Sequence, residues 1–182
     1  PFFAGIQWDR SGINGLQWPV AKDGTDTQIL HKTEFKRGKG AFKFNAWEET
    51  KELTEHAKEY PYILTTNREL EHYNCGAMTR RTSNEILLQD DYLMINPTDA
   101  SENLITEGDY VCIESPRGKV DVKAKITEDV KSGILSTTFH FPEIMINNLT
   151  GDVHDSEAMC PEYKVVAVRI RKSKGKHKKS LV

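Results

Sequence analysis

Short β-strand signals recur along most of this chain, and their spacing limits what it can fold into. The clearest lies in 107–127, EGDYVCIESPRGKVDVKAKIT. There Val111 and Ile113, then Val120, Val122, Ala124 and Ile126, alternate with polar residues, and Ser115-Pro116-Arg117-Gly118 supplies a turn, which predicts a hairpin. Strands are also expected over 60–66 (YPYILTT), 92–96 (YLMIN), 133–141 (GILSTTFHF) and 163–170 (YKVVAVRI). Between them, 84–89 reads as a short turn or helical piece. A small helix should start after Asn96, with Pro97 in its first turn and Asp99 close by. Six or so short strands with one or two small helices suggest a compact, mainly β barrel rather than a doubly wound sheet. No internal repeat is visible.

The strands leave residues 1–59 without a clean alternation. Six glycines and Trp8, Trp18 and Trp47 punctuate them, which predicts an extended, loop-rich lead-in lying across a partner surface. A short helix is expected around 48–58, rich in helix formers but with a weak apolar face. The barrel domain is then expected over 60–171, and 172–182 as a basic, disordered tail. Arg171, Lys172, Lys174, Lys176, Lys178 and Lys179 crowd into 171–179 with no acidic residue among them. The 182 residues suit one domain with an appended segment. The first residue is Pro1 rather than Met, so the polypeptide is expected to begin partway through something longer or to be processed.

Composition narrows the function. Hydrophobic residues at 37% and charged residues at 29% describe a soluble protein with a modest core, and a net charge of −2 does not suit a nucleic-acid binder. Cys75, Cys112 and Cys160 are too few and too scattered for a disulfide framework or a cysteine-built cluster. Reduced thiols and a cytoplasmic setting follow as the simplest expectation. No apolar run is long enough to span a membrane, and no leader is evident. No G-x-G-x-x-G, P-loop or H-E-x-x-H motif is present. His72, His140, His154 and Cys75 have no spacing that demands a nucleophile and base. Asp90 and Asp91, adjacent on a turn, read as a solvated cap, and the tryptophans as packing anchors.

Three polar clusters stand where strands meet loops. The first follows the strand at Tyr60: Thr65, Thr66, Arg68, His72, Tyr73, Asn74, Thr79, Arg80 and Arg81 together suit a polyanion at a strand end. The second lies in 137–150, where Asn147 and Thr150 follow an apolar stretch. The third is Pro161-Glu162-Tyr163-Lys164, just before the last strand. Amide side chains match the edge of a heterocycle, Arg and Lys match phosphate oxygens, and Tyr73, Phe139 and Tyr163 suit a planar ring. A solvated polar loop remains the alternative for the first cluster.

Taken in order, these residues resemble a known family. The carriers are Leu64-Thr65-Thr66-Asn67-Arg68-Glu69, His72-Tyr73, Gly76, Met78-Thr79-Arg80-Arg81, Ile95-Asn96-Pro97 with Asp99-Ala100, Ser115-Pro116-Arg117-Gly118, Phe139-His140-Phe141, Asn147 with Leu149-Thr150, and Pro161-Glu162-Tyr163-Lys164 with Ala167-Val168-Arg169. Upstream, Gly15-Leu16-Gln17-Trp18-Pro19 and Gly38-Lys39-Gly40 with Phe42 resemble a preceding linker. The pattern is similar to the C-terminal, molybdopterin guanine dinucleotide-binding domain of molybdenum or tungsten formate dehydrogenase catalytic subunits, in the dimethyl sulfoxide reductase family.

The resemblance implies a double-psi β barrel of the aspartate decarboxylase-like kind, holding bis-molybdopterin guanine dinucleotide with Mo or W. It implies cofactor contacts from Thr66, Arg68 and Glu69 at the first strand end and from His72 and Tyr73 on the pterin and metal side. Asn147 and Thr150 would meet pterin edges, and Tyr163 and Lys164 the far end of the cofactor. No catalytic residue or metal ligand is assigned to this chain. The metal-ligating Cys or selenocysteine and any iron–sulfur cluster would lie in other domains, so the fragment alone should be inactive. Its partners would be the remaining domains of the catalytic subunit and electron-transfer subunits, with no nucleic acid. The alternatives are the same domain of another molybdopterin oxidoreductase, or a stand-alone β-barrel interaction module using the basic tail.

Overall fold

The structure, a computed structural model, describes residues 3–7, 9, 12, 15–35, 37–44 and 46–174. It divides into two units, Pro1–Trp47 and Glu48–Val182. The described part of the first is turns and irregular chain. It is tied internally by the Thr27 N–H donating to the Gln17 carbonyl (3.0 Å) and the Thr27 hydroxyl to the Pro19 carbonyl (2.7 Å). Trp18 lies 6.1 Å from Phe3, ring to ring, whereas Trp47 is exposed and anchors no packing. Trp8 lies outside the described residues.

The second unit holds α1 (Lys51–His56), β1 (Tyr62–Thr66), α2 (Asn84–Leu87), β2 (Tyr92–Ile95), α3 (Pro97–Glu102), β3 (Tyr110–Glu114), β4 (Lys119–Ile126), β5 (Ile134–Thr137) and β6 (Val166–Lys172). Single 3-10 turns occur at Thr79–Arg81 and Ile146–Asn148. The six strands close into a barrel in the order β1-β5-β2-β4-β3-β6. Two pairs are parallel, β1 with β5 and β2 with β4, and the rest are antiparallel. This is the double-psi form that the resemblance implies. The expected hairpin is present, with Ile113 opposite Val120 and Val111 opposite Val122.

Strand alternation fills the interior. Val120, Val122 and Ala124 turn inward from β4, joined by Leu64, Leu93, Ile95, Val111, Ile113, Leu135, Val166 and Val168. At about 25 cal/mol per Å² of apolar surface, side chains of this size contribute roughly 1.5–3 kcal/mol each on burial. Asn96 caps α3 by accepting from the Thr98 N–H (3.0 Å), with Pro97 in the first turn as expected. The buried Asp99 then ties α3 to the start of β5, accepting from the Ser132 hydroxyl (2.6 Å) and the Gly133 N–H (2.8 Å).

Three boundaries differ from expectation. The first unit ends at Trp47 rather than 59, because α1 joins the barrel through Glu52, described below. β5 stops at Thr137, since residues 138–141 leave the sheet to wrap the Asp91 carboxylate. β6 continues through Lys172, which pairs with Val111 and so belongs to the barrel rather than to a tail. Residues 175–182 of the expected tail lie outside the described residues.

Lys172 also makes an ion pair with Asp109 (2.7 Å). That hydrogen bond, helped by two from Thr106, lowers the Asp109 carboxyl from 3.8 to about 2. A depressed carboxyl contributes stability that is present above its unfolded value and lost as pH falls toward the folded one. Asp109→Asn is therefore expected to flatten the pH dependence of the urea midpoint between about pH 4 and 2, leaving the most acidic stability unchanged. In the core, Leu135→Ala removes a fully buried side chain, and chemical denaturation is expected to read a loss of about 2–5 kcal/mol.

Candidate functional site

Barrel topology decides which loops meet. β1 and β5 run parallel with Thr66 beside Thr137, so both chains leave the sheet at the same end. β6 is antiparallel to β1, with Val166 opposite Leu64, and delivers Tyr163 and Lys164 to that end. The antiparallel pairing of β2 with β5 puts Asp91 there, and the β3–β4 turn, Ser115–Gly118, lies there too. The nine residues assigned to a ligand from sequence gather at this one end, Thr66 as the last residue of β1 and the other eight on the loops and turns around it.

Some are in direct contact. The Thr66 hydroxyl donates to the Tyr163 carbonyl (3.3 Å), and the Lys164 ammonium folds back onto the Thr66 carbonyl and hydroxyl. Thr66 is buried, while the Tyr163 ring and Lys164 face outward. Arg68 is exposed, its guanidinium 5.5 Å from the centre of the Phe139 ring. Glu69 is half-buried and its N–H donates to Nε2 of His140 (3.0 Å). Tyr73 is exposed, whereas His72 is buried: Nε2 lies 2.8 Å from the Leu88 carbonyl and Nδ1 3.0 Å from the Thr79 hydroxyl. With both ring nitrogens engaged inside the chain, His72 supports the loop and offers a ligand no free nitrogen. The exposed Cys75 and the buried His72 make no nucleophile–base pair.

Asn147 and Thr150 form a separate arm. The Thr150 hydroxyl donates to the Asn147 carbonyl (3.0 Å), closing the 3-10 turn, and the Asn147 residue is exposed. Arg117 holds this arm through the Leu149 carbonyl (2.9 and 3.3 Å). The same guanidinium makes a fork with buried Glu52 (2.6 and 3.0 Å), and Glu52 also accepts the Ala167 N–H (2.9 Å). One carboxylate thus joins α1, the β3–β4 turn and the start of β6. Gly118 is needed beside it: a Cβ there would stand 2.9 Å from the Asn148 carbonyl oxygen.

Several groups at this end were misjudged or missed by sequence reading. Asp91 is no solvated cap. It is 1% exposed and accepts from the Thr138 hydroxyl and from the N–H groups of His140 and Phe141 (3.1 Å each). Burial pushes its carboxyl up, against the lowering effect of these donors. Arg80, counted among the polyanion-binding groups, is instead structural. It forks onto Glu143 (2.8 and 3.0 Å) and stacks over Phe141, 4.6 Å from the ring centre, and Glu143 raises its pKa. Asn74 adopts a left-handed backbone (φ 49°), and the Asn67 N–H donates to the Thr137 carbonyl, carrying the β1–β5 ladder one residue further. Gly76 (φ 69°) is required as glycine, because a Cβ would lie 2.7 Å from the His140 carbonyl oxygen. A cavity of about 410 Å³ beside α2, lined by Thr82, Ser83, Glu85, Ile86 and Gln89, contains none of the nine residues. No cluster of metal-ligating side chains occurs among the described residues. No described helix is long and apolar enough to cross a membrane.

The family described as "Molydopterin dinucleotide binding domain" matches residues 62–167, from β1 into β6. The chain belongs to the molydopterin dinucleotide-binding domain family. It is 41% identical over 178 residues to F420-dependent formate dehydrogenase 2 subunit alpha of Methanococcus maripaludis, covering 94% of this chain and 26% of that protein. The F420-dependent formate dehydrogenase subunit alpha of Methanocaldococcus jannaschii is 40% identical over 176 residues, with the same coverage. The chain therefore spans about a quarter of the length of these relatives. Among solved structures, acetylene hydratase from Pelobacter acetylenicus shares the fold, with a TM-score of 0.57 at 18% identity over 64% of this chain and 19% of that one.

Within this molydopterin dinucleotide-binding domain, the Glu52 fork is expected to be the main tie on the Asn147–Thr150 arm. Glu52→Ala would leave the Ala167 N–H without its acceptor and the partly buried Arg117 without its carboxylate, held only by the Leu149 carbonyl. Equilibrium urea unfolding is expected to show a loss of about 2–3 kcal/mol.

Proposed function

We propose that the loop-bearing end of this barrel closes over molybdopterin guanine dinucleotide, carrying Mo or W, as the C-terminal domain of a formate dehydrogenase-like oxidoreductase of the cytoplasm. The observation that carries this reading is the convergence at one barrel end of the three loops that hold the ligand-type residues. The donor set fits the group's chemistry. Arg68 offers a planar, outward cation for pyrophosphate oxygens, and Lys164 adds charge beside the first strand end. The exposed rings of Tyr73 and Tyr163 suit stacking on a flat heterocycle, and the exposed Asn147 amide suits its donor–acceptor edge. The Thr66 hydroxyl is already committed within the chain, so Thr66, like His72 and Thr150, shapes the loops from behind, while the Glu69 N–H is held by His140 and its carboxylate is left to face the ligand.

When bound, the group would supply the redox chemistry, by which formate becomes carbon dioxide with release of one proton and two electrons. This chain binds and orients. It contributes no catalytic residue and is inactive alone, the remaining domains supplying the metal ligand, the substrate pocket and the iron–sulfur cluster. Its partners are those domains and electron-transfer subunits, as suits a chain that covers 26% of related formate dehydrogenase subunits.

The test uses the complete polypeptide that carries this domain, assayed for metal, pterin and formate-dependent dye reduction. Wild type is expected to hold the cofactor and oxidise formate. Arg68→Ala is expected to lose about 1.5–3 kcal/mol of cofactor binding, tenfold or more, with activity falling in parallel. Cofactor without formate activity would move the substrate elsewhere among molybdopterin oxidoreductases. A protein with neither metal nor pterin would sink the reading.

A further inference from the structure

We propose that Asp91 and His140 are positioning residues that hold the strand-end loop bearing Arg68 and Tyr73 in one fixed place before any ligand arrives. The importance given to that loop rests on the cofactor reading above.

Asp91 stands at the foot of β2 with its carboxylate buried. A carboxylate only accepts, and it receives three donors from one neighbouring segment: the Thr138 hydroxyl and the N–H groups of His140 and Phe141. These bonds turn residues 138–141 out of the β5 ladder and aim the His140 side chain back beneath the loop after β1. His140 is wholly buried. Its Nδ1 lies 2.5 Å from the Asn74 carbonyl, which cannot donate, so Nδ1 carries the hydrogen. Nε2 is then the lone-pair nitrogen and accepts the Glu69 N–H (3.0 Å). One imidazole thereby fixes two backbone points five residues apart, with Arg68 beside the first and Tyr73 beside the second.

A second buried imidazole completes the frame with the opposite proton placement. The Leu88 carbonyl requires the hydrogen of His72 on Nε2, leaving Nδ1 to accept from the Thr79 hydroxyl, which itself accepts the Tyr73 N–H (3.2 Å). The two rings lie 5.7 Å apart. Every bond has one permitted direction, so the loop has no equivalent alternative pattern to relax into. Arg68 is also coupled to this frame through Phe139, the residue preceding His140.

The test begins with the isotope-labelled 182-residue chain. Long-range nitrogen–proton spectra should show His140 neutral with hydrogen on Nδ1 and His72 neutral with hydrogen on Nε2. In Asp91→Asn and His140→Phe, amides of the six strands should keep their exchange protection. Exchange at the Glu69 amide should rise about tenfold or more, and the Arg68 side-chain resonances should lose the shift imposed by Phe139. His140→Gln, whose amide oxygen reaches the Glu69 N–H, should restore most of that protection. A hydrogen on Nε2 of His140 in the wild type, or a Glu69 amide and Arg68 signals unmoved by the variants, would overturn the assignment. In the complete polypeptide, Asp91→Asn and His140→Phe should cut bound pterin dinucleotide tenfold or more, with His140→Gln retaining it. Full cofactor in Arg68→Ala would fail the cofactor reading alone, leaving the spectra to decide positioning. Loss of cofactor in Arg68→Ala with full retention in the other two would sink the positioning role.

Discussion

The parallel pairing of β1 with β5 governs the rest of this domain. Parallel neighbours cannot be joined by a hairpin, so the chain between them must cross over and return, and the two strands end side by side. With Thr66 beside Thr137, the segments that follow each strand start within reach of one another. That proximity lets His140 meet Glu69 and Asn74, 71 and 66 positions away in sequence, and lets Phe139 lie beneath Arg68. β6, antiparallel on the other flank of β1, adds Tyr163 and Lys164 to the same end. A shift of β1 by one residue against β5 would reverse which side chains face the core and would also break this loop junction.

What was legible in the sequence was local. Val120, Val122 and Ala124 announced β4 by their period of two, and Asn96-Pro97 announced α3, because both signals depend only on neighbours. The double-psi form and its family were legible through the order of many short motifs rather than through any one of them. The boundaries that moved all depended on distant partners. The helix-rich stretch before Tyr60 had a weak apolar face, and nothing nearby revealed that Glu52 would be buried against Arg117 and Ala167. β5 was read through to Phe141 because the Asp91 carboxylate, which draws residues 138–141 out of the sheet, stands just before a different strand, far away in sequence. β6 ran on to Lys172 because it pairs with Val111 and its basic end finds Asp109, just before the neighbouring β3.

The same reasoning explains why the candidate site was only half visible. Arg68 and Arg80 are equivalent in composition, yet their surroundings separate them. Arg80 has a carboxylate partner in Glu143 and a ring in Phe141, so its charge is spent on the fold. Arg68 has a ring beneath it and solvent above, which leaves its donors directed outward. His72 was assigned to the pterin and metal side through the family resemblance, but the carbonyl of Leu88 and the hydroxyl of Thr79 claim both its nitrogens. Asp91 was dismissed as solvated because an aspartate pair on a turn usually is.

The 67–91 stretch contains only a 3-10 turn and the four-residue α2, and a surface connection of that length would ordinarily be mobile. A mobile loop that bound a dinucleotide would have to be ordered at the moment of binding, at roughly 1–2 kcal/mol per residue fixed. Here the ordering is done in advance and by groups that no ligand needs: two buried imidazoles, one carboxylate, the Arg80–Glu143 fork and a glycine pressed against the His140 carbonyl. Arg68 and the Tyr73 ring are therefore presented on a backbone already tied at Asn67, Glu69, Tyr73 and Asn74. On the proposed reading, such a division, with polar bonds inside the loop and recognition groups outside it, would let substitution of Arg68 alter affinity without unfolding the loop. Substitution beneath it releases every contact the loop carries.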